Sequence, residues 1–193
     1  MKGSLVKRAD NVVMHNPCIS QWGIQVLAAV ILLPLTAGAQ SPPAQTSVTV
    51  GGKQLTIRYS APSVRGRKIF GAGGLLSNDP TYPVWRVGAN SATALHADAD
   101  LTLGPLSVPK GDYTLYALVS DPDNWQLIVS KETGQWGLTY NPKLDLGRVN
   151  MTMAKPPALI ETLRITLSAA GANMAKLEIG WENHVASVPV AVK

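Results

Sequence analysis

Ser47 to Tyr59, SVTVGGKQLTIRY, decides how the chain is read. In its second half Leu55, Ile57 and Tyr59 alternate with Gln54, Thr56 and Arg58. That is a period of two, the mark of a strand with one buried face. Gly51 and Gly52 divide this run from a shorter one, Ser47 to Val50. Paired glycines supply the positive φ that a tight hairpin turn requires. The stretch predicts two antiparallel strands.

The same grammar continues toward the C-terminus. Strand-like runs recur at Val84–Val87, Ala92–Ala97, Leu101–Leu103, Tyr113–Val119, Trp125–Ser130, Val149–Ala154, Leu159–Leu167, Lys176–Trp181 and Val185–Val192. Gly, Pro and Asp clusters separate them, as in Pro109-Lys110-Gly111 and Asp121-Pro122-Asp123. Leu159–Leu167 has ambiguous spacing, but its Ile and Thr content favours strand. Pro189 argues that the last strand is a sheet edge. No segment sustains a helical period. Frequent short strands with Gly/Pro turns predict an all-β chain, a single antiparallel β-sandwich of jelly-roll or Ig-like arrangement. Two long irregular loops interrupt it, at 61–83 and 131–147. Loops this long pack on something or bind something.

The chain has 193 residues. Lys2, Lys7 and Arg8 precede an uncharged apolar run at 24–36, and Ala37-Gly38-Ala39 follows it. A basic start, an apolar core and an A-x-A site read as a secretory signal over 1–39. A retained membrane anchor is the competing reading. The run falls short of the ~20 residues a spanning helix needs, and Pro34 interrupts it. Processing would leave a polar, flexible lead-in at 40–46, a sandwich domain at 47–193 and no membrane span. The protein is expected in the periplasm or outside the cell.

Losing the leader's three basic residues and Asp10 lowers the formal net charge from +5 to +3. Lys and Arg are scattered, which gives no footprint for nucleic acid. Cys18, the only cysteine, lies in the leader. The processed chain can therefore form no disulfide, no thiolate metal site and no cysteine nucleophile.

Candidate binding residues collect in the two long loops and beside them. Arg65 and Lys68 belong to the first. Trp85, Arg86 and Asn90 follow in VWRVGANSAT, residues 84–93, and Trp136 and Tyr140 belong to the second. Aromatic faces stack on sugars and other flat ligands, while Arg and Asn give directional hydrogen bonds. The competing reading is packing: Trp85, Trp125 and Trp181 as core plugs, Arg86 and Asn90 as fixers of the Gly88-Ala89-Asn90 turn. Two i, i+2 pairs, His96/Asp98 and Glu182/His184, would make a nitrogen–oxygen metal set if their strands were neighbours. No G-x-S-x-G, H-E-x-x-H or phosphate-binding glycine loop is present. Among the scattered carboxylates, Glu132 near Trp136 is the least implausible member of a hydrolytic pair. No cofactor is expected.

Four ordered segments resemble a known family: APSVRGRKIFG at 61–71, VWRVGANSAT at 84–93, VPKGDYTLYAL at 108–118 and GQWGLTYNPKLDLGRV at 134–149. It is the group of secreted bacterial proteins catalogued as domain of unknown function 2911. The resemblance runs from about Ser41 to Val190. It implies an exported bacterial domain with no agreed activity and no catalytic residues to carry over. The family commonly shows an acidic residue where this chain has Ser91, so no role for that carboxylate transfers. The leading expectation is a non-catalytic module that binds a small molecule or a glycan, or that associates with the envelope. The alternatives are a carbohydrate-active or metal-dependent hydrolase, and a structural domain whose edge strand pairs with a partner.

Overall fold

The computed structural model describes residues 40–193, so the leader expectations at 1–39 lie outside it. The chain forms β1 (Pro43–Val50), β2 (Lys53–Ser60), β3 (Val84–Trp85), β4 (Thr93–Ala97), β5 (Leu101–Leu103), β6 (Leu106–Val108), β7 (Gly111–Leu118), β8 (Gln126–Ser130), β9 (Asp145–Asn150), β10 (Thr152–Ala154), β11 (Ile160–Ala169), β12 (Met174–Glu182) and β13 (His184–Val192). Two antiparallel sheets pack face to face. One runs β1-β2-β4-β7-β8-β9, with β3 also on β7; the other runs β11-β12-β13-β5-β6, with β10 also on β13. This is the all-β sandwich that the alternation predicts. Among the described residues no helix is long and apolar enough to cross a membrane.

The opening hairpin forms as read, with Gly51 and Gly52 at φ of 57° and 69°. Positive φ at both central residues gives the turn whose twist suits a two-residue hairpin. β1 starts earlier than expected: Pro43 already pairs with Ser60 and Thr46 with Ile57. Most of the predicted lead-in is therefore strand.

The run Val149–Ala154 is two strands in two sheets. β9 pairs with β8, β10 pairs with β13, and the buried Met151 marks the crossing. Pro189 does not mark an edge, because β13 is flanked by β12 on one side and by β10 and β5 on the other. The Pro189 carbonyl accepts from Gly104 N at 3.0 Å, so the missing N–H would face the same side. That side lies between Ser187, the last residue paired to β10, and Val190, the first paired to β5. The proline occupies a gap in the ladder, where no donor is needed.

Leu55, Ile57, Leu115, Leu127, Val129, Leu177 and Ile179 fill the space between the sheets. At its centre is Phe70, the only phenylalanine and 4% exposed, although it comes from the long loop. Its ring lies 5.4 Å from Trp85, 4.7 Å from Trp125 and 5.8 Å from Trp181, and Trp85 stacks on Trp181 at 5.6 Å. Each such pair contributes about 0.5–1.5 kcal/mol beyond its buried area. Among the described residues no hydrogen-bond acceptor reaches the three indole N–H groups. Edge-to-face aromatic packing is where the weaker N–H···π contact arises. Ala61, Val64, Ile69 and Leu76 are buried with Phe70, so the 61–83 loop is a plug for the core.

The second long loop covers the outer face of the first sheet. Val84, Tyr116 and Ile128 form a separate apolar cluster there, with Tyr140 packed on it. That cover explains why β7 is buried on both faces from Tyr113 to Ala117.

The free side of β11 is closed by its own fold. Leu163 N donates to Pro62 O at 2.9 Å, Ile165 N to Tyr59 Oη at 3.1 Å and Leu167 N to Thr46 Oγ1 at 3.1 Å.

Candidate functional site

The two long loops converge. Ala92 N donates to Gln135 O at 3.2 Å and Gly137 N to Asn90 O at 3.0 Å, making a bridge between Ser91 and Trp136. Gln135 is tethered from beneath, where its Nε2 donates to Thr114 Oγ1 at 3.2 Å and to Tyr116 Oη at 3.0 Å. The backbone at Trp136 is thus held on both sides, while the residue is 54% exposed. An exposed indole on a fixed backbone is unusual, since large aromatics mostly serve packing.

The stretch that leads to this bridge is strained. Val87 and Asn90 have φ of 52° and 59°, and Val87 is fully buried. A β-branched residue in the left-handed region costs on the order of 1–3 kcal/mol and persists only where its surroundings hold it. Thr93 Oγ1 helps, donating to Val87 O at 2.9 Å. Arg86 lies beneath. Its Nε reaches Gly88 O at 3.4 Å, one Nη is 3.9 Å from Asp79, and the other is buried with no partner among the described residues. Burial pushes its guanidinium below the usual pKa, and Asp79 partly opposes this. Gly137 packs directly on the Arg86 side chain. Arg86 is therefore a wedge under the bridge.

Asn90 ties the rim to the opening strands. Its Nδ2 donates to Ser41 O at 3.3 Å and to Ser60 Oγ at 3.4 Å. A cleft of about 140 Å³ lies on the Ser41 side, with Arg65 and Arg67 among its lining residues. A second cleft of about 180 Å³ lies on the Ser60 side, lined by Arg58, Tyr59, Ser60, Ser91, Ala92 and Ala94. Trp136, bridged to Ser91, stands beside this second cleft.

Of the seven residues singled out from sequence, Arg65, Arg86, Asn90 and Trp136 gather around the rim. Trp85 does not join them: it is 2% exposed and offers no face for stacking, because the tryptophan knot consumes it. Lys68 is engaged within its own loop, donating to Ala72 O at 2.7 Å. Tyr140 turns inward from the second loop onto Tyr116, and its hydroxyl donates to Asp145 Oδ2 at 2.7 Å and accepts from Arg148 at 2.8 Å. Burial first, then Asp145, push its phenol up to about 12. Arg58, Ser60 and Ser91 were not singled out from sequence. The available signal was Arg58 on the outward side of the period-two run.

The four-residue metal set does not assemble. His96 and Asp98 belong to the first sheet's β4 and its end, Glu182 and His184 to the second sheet. His96 is clamped instead, with Nδ1 2.7 Å from Asp112 Oδ1 and Nε2 3.1 Å from Asp98 Oδ1. The carboxylates lie on opposite edges of the ring and cannot share an ion with it. Hydrogen bonds to Asp112 and then Asp98 raise the imidazole pKa. Among the described residues no group of three or more His, Cys, Asp or Glu is placed to hold a metal. Glu132 lies near Tyr116, and its carbonyl accepts from Thr114 Oγ1 at 2.7 Å.

Fold and rim define a two-sheet antiparallel sandwich domain with a loop-built surface at one margin. The chain belongs to the family described as protein of unknown function (DUF2911), whose pattern matches residues 41–190. No curated protein and no solved structure matches it.

Proposed function

We propose that the chain is an exported, non-catalytic binding module that holds a glycan against the rim where its two long loops meet. One observation carries the reading: Trp136 is 54% exposed on a backbone bonded to Asn90 and Ala92. An exposed indole on a fixed backbone offers a sugar ring an apolar face with less backbone ordering left to lose. Arg58, Ser60 and Ser91 in the adjoining cleft, with Arg65 on the other side of Asn90, supply the hydrogen-bonding groups a sugar needs. The basic start, apolar run and Ala37-Gly38-Ala39 site support export.

A panel of bacterial envelope glycans tests the binding reading by thermal shift on wild type and Trp136→Ala. At least one glycan should raise the wild-type melting temperature and leave the variant unchanged. No shift across the panel, or equal shifts in both proteins, overturns it. N-terminal sequencing of the protein from the cell exterior should begin at Gln40; an intact N-terminus in the cytoplasm overturns export.

A further inference from the structure

A second site lies where three connections meet. Pro122 and Asp123 come from the β7–β8 turn, Met153 to Lys155 from the end of β10, and Asn183 and His184 from the β12–β13 turn. They line a cavity of about 220 Å³. At ~30 Å³ of liquid per water, that is room for roughly seven waters, or one small organic molecule.

The wall at His184 is rigid. The imidazole stacks on Trp125 at 5.4 Å and 19°, and meets Phe70 at 4.8 Å. Its Nδ1 is buried 3.4 Å from Glu182 Oε2, with no hydrogen-bond partner among the described residues, and the residue lines the cavity. Glu182 is only 8% exposed, and its other oxygen accepts from Ile69 N at 2.8 Å. It has φ of 55° at the first central position of a two-residue hairpin turn, where glycine is the usual occupant. A strained, buried carboxylate backing a histidine that lines a cavity is the arrangement found where a side chain is positioned for a ligand. Burial lowers the His184 pKa against the opposing influence of Glu182 and Asp123, with Lys155 adding to the lowering.

The rest of the lining carries both charges. Asp123 and Lys155 each border the cavity, and neither forms an ion pair among the described residues. Pro122, Met153 and Ala154 add apolar surface between them. A carboxylate recognises an ammonium group and an ammonium recognises a carboxylate. We infer that this cavity binds a small zwitterion with a short apolar side chain, an aliphatic α-amino acid, with Asp123 facing its ammonium, Lys155 its carboxylate, and His184 and Asn183 completing the polar contacts.

Calorimetric titration of the protein with L-leucine, N-acetyl-L-leucine and L-leucinamide tests this. Leucine should bind, and each capped compound should bind at least about tenfold more weakly. Asp123→Asn should weaken leucine about tenfold and leave N-acetyl-leucine unchanged; Lys155→Gln should weaken leucine similarly and leave leucinamide unchanged. Both residues are exposed, so the variants keep the fold, which a melting curve verifies. Absence of binding heat with leucine up to ~10 mM, equal affinity for the capped compounds, or wild-type affinity in both variants overturns the inference. Trp136→Ala should leave leucine binding unaltered, which separates this site from the glycan rim.

Discussion

Gly137 rests against the Arg86 side chain so closely that a Cβ at 137 would lie 2.3 Å from Arg86 Cδ. It would also lie 2.7 Å from Asn90 O, the acceptor of the 137 amide. Only a residue without a side chain lets the second loop bond to the first across the guanidinium stem. Gly137→Ala should lower unfolding free energy by about 2 kcal/mol, measured by urea denaturation. Combined with Arg86→Ala the loss should shrink without vanishing, since the Asn90 carbonyl stays. Full additivity of the two substitutions would show that the contact is not shared.

Two tryptophans should respond oppositely to truncation. Trp136→Ala should change stability by no more than about 0.5 kcal/mol, because the side chain is mostly in water. Trp85→Ala should cost about 3–5 kcal/mol, because it empties the place between Phe70 and Trp181. Denaturant melts of the two variants check both.

His96 and His184 should tilt the pH–stability profile in opposite directions. The pKa of His96 is raised by Asp112 and Asp98, so its contribution is complete below the unfolded value near 6.5 and fades as pH rises through the folded one. The pKa of His184 is lowered by burial, so it costs nothing above the unfolded value, and stability falls as pH drops toward its folded pKa. His96→Gln should flatten the alkaline limb of melting temperature against pH, and His184→Gln the acid limb. The His96 effect should be small, since its clamp is open to solvent.

Tyr140 should hold its proton far into the alkaline range. With its phenol pushed up to about 12, a phenolate absorbance step near that pH should disappear in Tyr140→Phe. The same substitution should cost about 1 kcal/mol through the lost bonds to Asp145 and Arg148. A Tyr140→Phe titration curve identical to wild type would contradict the assignment.

The sandwich was legible because its strands alternate. Leu55 and Ile57, then Trp125, Leu127 and Val129, declare one buried face by spacing alone. What spacing does not carry is which sheet a strand joins. Met151 marks the crossing between sheets, yet Val149–Ala154 reads as one continuous run. Pro189 misled for a related reason: whether a missing N–H matters depends on the partner opposite, and the gap between β10 and β5 is a long-range fact. Residue type alone does not separate Trp85 from Trp136: each is a lone tryptophan next to one of the long loops or within it. Only tertiary packing sends one to Phe70 and leaves the other in water. The cavity at His184 was invisible for the same cause, because Asp123, Lys155 and Asn183 are distant in the chain.

The alternate donors of β11 are spent on Pro62, Tyr59 and Thr46. An incoming polypeptide would find no run of free amides there to zip onto. Lateral growth from that margin would first have to tear away the domain's own N-terminal strands, which sets a folding-scale barrier against fibril seeding in a crowded compartment.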